Sequence, residues 1–122
     1  MRSFLALLLV PFFAFAQTAI TTTFPADSVA LSPEALKLRL TGNSFLADPA
    51  SGAQLMLQYK ENYAFVNSGN FSDSGKWYVQ DSKVCVEWRK LATNCSEFRT
   101  LGDVLLVKRV SNGEIMVMRL RT

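Results

Sequence analysis

The sequence predicts a mainly β domain: an antiparallel meander forming an open or closed barrel-like sheet, with one short N-terminal helix. Three observations point there. From residue 44 onward apolar and polar residues alternate with a period of two, the signature of strands with one buried face. Turn-forming breaks interrupt that alternation at short intervals: Asp48-Pro49, Ser51-Gly52, Glu61-Asn62, Ser68-Gly69-Asn70, Asp81-Ser82, Gly102-Asp103 and Asn112-Gly113. No connection in this stretch is long enough to hold a crossover, so successive strands must be antiparallel neighbours.

The elements follow in chain order. Met1-Arg2-Ser3 is a short positive start, and Phe4 to Phe15 is an almost unbroken apolar run. Ala14-Phe15-Ala16 places small residues where a signal peptidase reads them. Residues 1–16 are therefore expected to be a secretory signal peptide cleaved between Ala16 and Gln17. The run is shorter than the roughly 20 residues of a membrane span, and no second one follows, so no stable membrane span is expected. The expected location is periplasmic or secreted. Removing 16 of 122 residues leaves 106, enough for one domain with a modest core. Residues 17–31 begin with the Thr-rich QTAITTTFPA and are expected to form an extended, mobile lead-in to a single domain over 32–122.

Ser32-Pro33-Glu34 is a helix start: Ser as N-cap, Pro at the first helical position, an acid in the first turn. Leu36, Leu40 and Ala35 can share one face, Lys37 and Arg39 complement the dipole, and Gly42 ends the helix at about 33–41. Candidate strands then occupy 44–47, 54–60, 63–67, 76–80, 83–89, 95–100, 104–110 and 115–121.

The turns also set register. Asp81-Ser82 as a two-residue turn pairs Val79 with Val84 and Trp77 with Val86. Placing Cys85 opposite Cys95 pairs Lys83 with Glu97. Gly102-Asp103 pairs Phe98 with Val107, and Asn112-Gly113 pairs Val107 with Met118 and Leu105 with Leu120. Each pairing is fixed separately. Yet they agree on one apolar face: Trp77, Val79, Val84, Val86, Trp88, Phe98, Leu105, Val107, Met116, Met118 and Leu120. A slip of one residue would turn a whole strand over, so the agreement is informative. Leu106, Val117 and the Val110/Ile115 pair fall outside this face. They predict a smaller packing surface on the exterior, suited to the helix.

Cys85 and Cys95 are the two cysteines, and in an oxidising compartment an even pair predicts a disulfide. The register makes it a cross-strand staple on the more polar face, beside Tyr78.

Composition narrows function. The chain has 13 Lys/Arg and 10 Asp/Glu, and Arg2 leaves with the signal peptide, so the domain carries a charge of about +2. That balance predicts no nucleic-acid partner. Histidine is absent, which removes Ser-His-Asp and Cys-His chemistry and the commonest metal ligand. The spacing of the cysteines is not C-x-x-C, and the glycines are scattered turn residues without a phosphate-loop pattern. Glu87 and Glu97 share a face, but Lys83 opposite Glu97 predicts a solvated ion-pair surface. Asp73 and Asp81 read as turn residues. No enzyme, metal or cofactor is expected.

Leu40-Thr41-Gly42-Asn43-Ser44, Ser74-Gly75-Lys76-Trp77-Tyr78-Val79, Cys85-Val86-Glu87-Trp88 and Asn94-Cys95 form an ordered set over about residues 32–110. It resembles small exported proteobacterial all-β domains of unknown function, built around TGN, sGxWxv, CxxW and a second Cys. The resemblance implies a periplasmic β-domain behind a signal peptide and carries no activity. It also implies structural roles for Trp77, Trp88, Cys85 and Cys95.

Two functions suit such a domain. The first is non-enzymatic binding of a small apolar ligand, with Trp77, Trp88, Phe98 and Met118 lining the cavity; the competing role for these side chains is simply to fill the core. The alternative is a protein inhibitor of a periplasmic or secreted hydrolase. It would act through the Arg89-Lys90-Leu91-Ala92-Thr93 loop, with Arg89 and Lys90 as partner-binding residues, against the plain role of a hairpin tip.

Overall fold

The computed structural model describes residues 20–50 and 52–122. The expected signal peptide and its cleavage site lie outside the described residues. The elements are β1 (Val29–Ala30), α1 (Pro33–Leu40), β2 (Asn43–Ala47), β3 (Leu55–Tyr59), β4 (Tyr63–Ser68), β5 (Phe71–Gln80), β6 (Lys83–Trp88), β7 (Asn94–Leu101), β8 (Val104–Lys108) and β9 (Ile115–Leu120). From β2 to β9 each strand pairs antiparallel with the next. The last returns to the first through Phe45↔Leu120, Leu46↔Arg119 and Ala47↔Met118, which closes an eight-stranded barrel. A barrel of this strand number is just wide enough for its side chains to fill it or for one small ligand.

The expected pairings Val79↔Val84, Trp77↔Val86, Cys85↔Cys95, Lys83↔Glu97 and Phe98↔Val107 are all present. The last hairpin differs. Val107 faces Met116 and Leu105 faces Met118, a shift of two residues from the register that a two-residue Asn112-Gly113 turn would impose. The connection 109–114 folds on itself instead. Arg109 N–H donates to the Glu114 carbonyl at 2.8 Å, Gly113 N–H to the Arg109 carbonyl at 2.9 Å, and Glu114 N–H to Asn112 Oδ1 at 3.0 Å. A shift of two keeps every side chain on its face. Leu120 keeps that face, opposite Phe45, but at the end of β9 it is 53% exposed.

Strand β5 begins at Phe71, five residues before the expected start at residue 76. Ser72-Asp73-Ser74-Gly75 looks like a turn sequence, but Gly75 serves a close approach between strands. A Cβ there would lie 2.1 Å from the Glu87 carbonyl oxygen.

Helix α1 starts as expected, with the Ser32 hydroxyl accepting from Ala35 N–H at 3.1 Å. It stops at Thr41, where Gly42 takes φ 83° and donates its N–H to the Tyr59 carbonyl at 2.7 Å. Leu36 and Leu40 are fully buried and join the barrel core; Ala35 is exposed. Burying two leucines contributes about 3–6 kcal/mol, enough to seat a helix too short to persist alone.

The exterior around Leu106, which is 3% exposed, is therefore not covered by the helix as the sequence suggested. The lead-in covers it. Ile115 N–H donates to the Thr21 carbonyl at 2.7 Å, and the half-buried Phe24 ring lies 5.0 Å from the Arg99 guanidinium and 6.0 Å from the Lys108 ammonium. Strand β1 then pairs with β7 through Val29↔Thr100 and Ala30↔Arg99, beyond the end of β6. The described part of the lead-in is thus fastened to the barrel wall.

Candidate functional site

The two barrel ends differ. One carries α1 with the turns at 60–62, 81–82 and 102–103. The other carries the connections 48–54, 69–70, 89–93 and 109–114. Inside the second end is a cavity of about 700 Å³. Alternation along each strand decides what lines it: Leu55 and Leu57 from β3, Val84, Val86 and Trp88 from β6, Met116 and Met118 from β9. The cavity tapers. Leu55, Leu57 and Trp88 are half-buried near its mouth, whereas Tyr59, Phe98 and Met118 are 4%, 2% and 1% exposed at depth.

Three residues expected to line a ligand cavity, Trp88, Phe98 and Met118, do line it. Trp77 does not. It sits beneath α1 at the closed end, and its indole N–H donates to the Lys60 carbonyl at 2.7 Å. Its ring meets the Tyr59 ring edge-on at 5.2 Å, and Tyr59 meets Phe45 in the same way at 6.1 Å. These aromatics make the cavity floor, with Tyr59 bordering the open space. Burial pushes the Tyr59 phenol well above its ordinary range. Tyr59 was readable as an inward position from the Leu55–Leu57–Tyr59 alternation; the oxygen at its tip is the only signal that separates it from core.

Polar atoms fix the mouth. Asp73 is 6% exposed and sits on β5 instead of in a turn. Its carboxylate accepts from Lys90 N–H at 3.0 and 3.1 Å, Leu91 N–H at 2.8 Å and Ser74 N–H at 2.8 Å. Burial alone would raise this carboxyl. The donated backbone hydrogens of Leu91, Lys90, Ser74 and Arg89 outweigh it and hold the group below the usual carboxylate range. The 89–93 loop is thereby seated by its backbone. Lys90 Nζ also donates to the Ser72 carbonyl at 2.7 Å and stands 5.6 Å from the Phe71 ring, while Arg89 is exposed. Across the mouth, buried Glu114 receives Arg109 Nη1 at 3.4 Å on one carboxylate oxygen and Ala50 N–H on the other, which joins the 109–114 and 48–54 connections.

Cys85 and Cys95 are bonded at the base of the 89–93 loop, with Cα atoms 3.9 Å apart. Cys85 is fully buried on the outer side of β6, Cys95 is exposed, and Tyr78 lies opposite Cys85 at 46% exposure. Glu87 is exposed on the same side; the Glu97 carboxylate lies 3.8 Å from Arg99 Nε on its own strand, besides facing Lys83. No helix among the described residues is long and apolar enough to cross a membrane.

The arrangement is a sealed floor, apolar walls and a mouth held by buried carboxylates. It offers apolar surface sheltered from bulk water. Comparison of the chain with models of known protein families, with curated proteins and with solved structures found no match to any of them.

Proposed function

We propose that this protein is an exported, non-enzymatic binding protein that carries a small apolar molecule inside its barrel. The supporting observation is the hollow half of the barrel, about 700 Å³ walled mainly by Leu, Val, Met and aromatic side chains. An eight-stranded barrel whose only role was mechanical would gain stability by filling that space. The signal-like first sixteen residues, the cystine and the resemblance to small exported proteobacterial domains support a periplasmic or secreted location.

The test uses N-phenyl-1-naphthylamine, a neutral apolar fluorophore, with energy transfer from Trp88 at the mouth as readout. Saturable one-to-one binding is expected. Leu57→Trp, which fills the half-open middle of the cavity, should abolish it while leaving the thermal midpoint within about 5 °C of the parent. Absence of saturable binding, or equal binding by the filled variant, would refute the proposal.

The inhibitor reading draws on a different observation, the rigid backbone seat of the 89–93 loop on Asp73. Lys90 is already committed to Ser72, so exposed Arg89 and Leu91 would make the contacts. Retention of an exported hydrolase on immobilised protein, lost in Arg89→Ala/Leu91→Ala, supports it; equal retention by that variant discards it.

A further inference from the structure

Tyr59 adds a hydroxyl to a lining whose other neutral polar residues are Ser68, Thr93, Asn94, Ser96 and Ser111. Leu55, Leu57 and Tyr59 point inward by strand alternation, and only the last brings a polar atom to the floor of the apolar cavity. The residue is 4% exposed, and its ring is fixed edge-on by Phe45 and Trp77. Burial pushes its phenol well above the ordinary range. Among the described residues the Tyr59 hydroxyl has no hydrogen-bond partner, and Arg99 Nε, not this oxygen, is the fully enclosed atom lacking one. The open space that Tyr59 borders is the cavity. A buried hydroxyl left unpaired is unfavourable, and a molecule in the space that Tyr59 borders could supply the acceptor.

Charge limits what that molecule is. Among the described residues the only charged side chain bordering the cavity is Arg109, and Glu114 already neutralises it at 3.4 Å. An ionised ligand would lose its hydration there and find no free counter-charge.

On the reading that the cavity carries a ligand, we infer that this ligand is uncharged and apolar, with one acceptor oxygen at its leading end that receives the Tyr59 hydroxyl proton in a hydrogen bond. The binding site so defined selects carbonyl-, ether- or hydroxyl-bearing hydrocarbons over plain ones.

Two matched probes test it on the folded, disulfide-bonded protein: 2-acetylnaphthalene, which has the oxygen, and 2-ethylnaphthalene, which lacks it. Tyr59→Phe should weaken 2-acetylnaphthalene about fivefold, the effect of one hydrogen bond, and change 2-ethylnaphthalene less than about twofold. The variant's thermal midpoint should stay level or rise, because no internal hydrogen bond is lost. The carbonyl stretch of bound 2-acetylnaphthalene should move to lower frequency than in alkane solvent, a readout that needs no variant. A carbonyl stretch at its alkane value, equal effects of Tyr59→Phe on both probes, or a midpoint fall of more than about 5 °C would each overturn the inference and leave the carrier proposal standing. Failure of both probes to bind the parent protein would overturn the two together.

Discussion

Replacing Cys85 and Cys95 together by Ala tests how much of the stability resides in one covalent link. The bridge joins residues ten apart in sequence. For a closed loop of about eleven residues the chain-entropy relation gives about 9 cal/mol/K, or about 2.8 kcal/mol at 25 °C. Ala is the informative replacement because Cys85 is fully buried: Ser would add an unpaired hydroxyl and a further cost of about 1–3 kcal/mol. The small void left by the sulfurs adds no more than about 1 kcal/mol. The expected loss is therefore about 3 kcal/mol, a large fraction of the about 5–15 kcal/mol typical of a domain. With an m-value of about 2 kcal/mol/M the urea midpoint should fall by about 1.5 M. Trp77 and Trp88 report the transition by fluorescence, and the parent protein held reduced should unfold within about 1 kcal/mol of the double variant. A loss under about 1 kcal/mol would refute the reasoning. It would mean that the β6–β7 hairpin is already closed in the denatured chain, leaving the bridge nothing to constrain.

Three further predictions rest on single positions. Gly75→Ala should cost about 3 kcal/mol or more, because its Cβ would meet the Glu87 carbonyl at 2.1 Å, and soluble yield with urea unfolding will show it. Ser32→Ala removes the acceptor of Ala35 N–H and should cost about 1 kcal/mol, read as a midpoint shift of the same transition. Asp73 has a folded pKa below its ordinary value, so its contribution is complete above the usual carboxylate range and is lost as pH falls through that range and then below it. Hydrogen exchange at Lys90 and Leu91 should accelerate in acid beyond the intrinsic rate change, and Asp73→Asn should remove that extra acceleration; an identical pH profile in the variant would count against the assignment.

Seven of the eight barrel strands begin and end within two residues of where alternation and turn chemistry place them. Those signals are local, and a closed meander is built from local pairings. What local signals missed was set by distant partners. Ser72 to Gly75 carries the composition of a turn, yet it is strand because Gly75 allows close approach to Glu87 and Asp73 receives amides from the neighbouring loop. Asn112-Gly113 suggests the tightest hairpin, but buried Glu114, held by Arg109 and Ala50, keeps the longer connection. Strand β1 escapes any pattern because two residues carry no period. At the site, parity alone put Trp88, Phe98 and Met118 inside; depth along the barrel, which parity does not encode, sent Trp77 under the helix and made Tyr59 the floor.

The seam between β2 and β9 joins Asn43–Ala47 to Ile115–Leu120, with Phe45 opposite Leu120. Every other neighbouring pair in the ring is a hairpin that can zip as it emerges, but this one must wait for the final segment. Until then β2 and β8 are naked edges, open to other chains. Truncation before Ile115 should thus yield aggregates in place of a smaller domain, and helpers that shield the growing polypeptide would act chiefly on that interval.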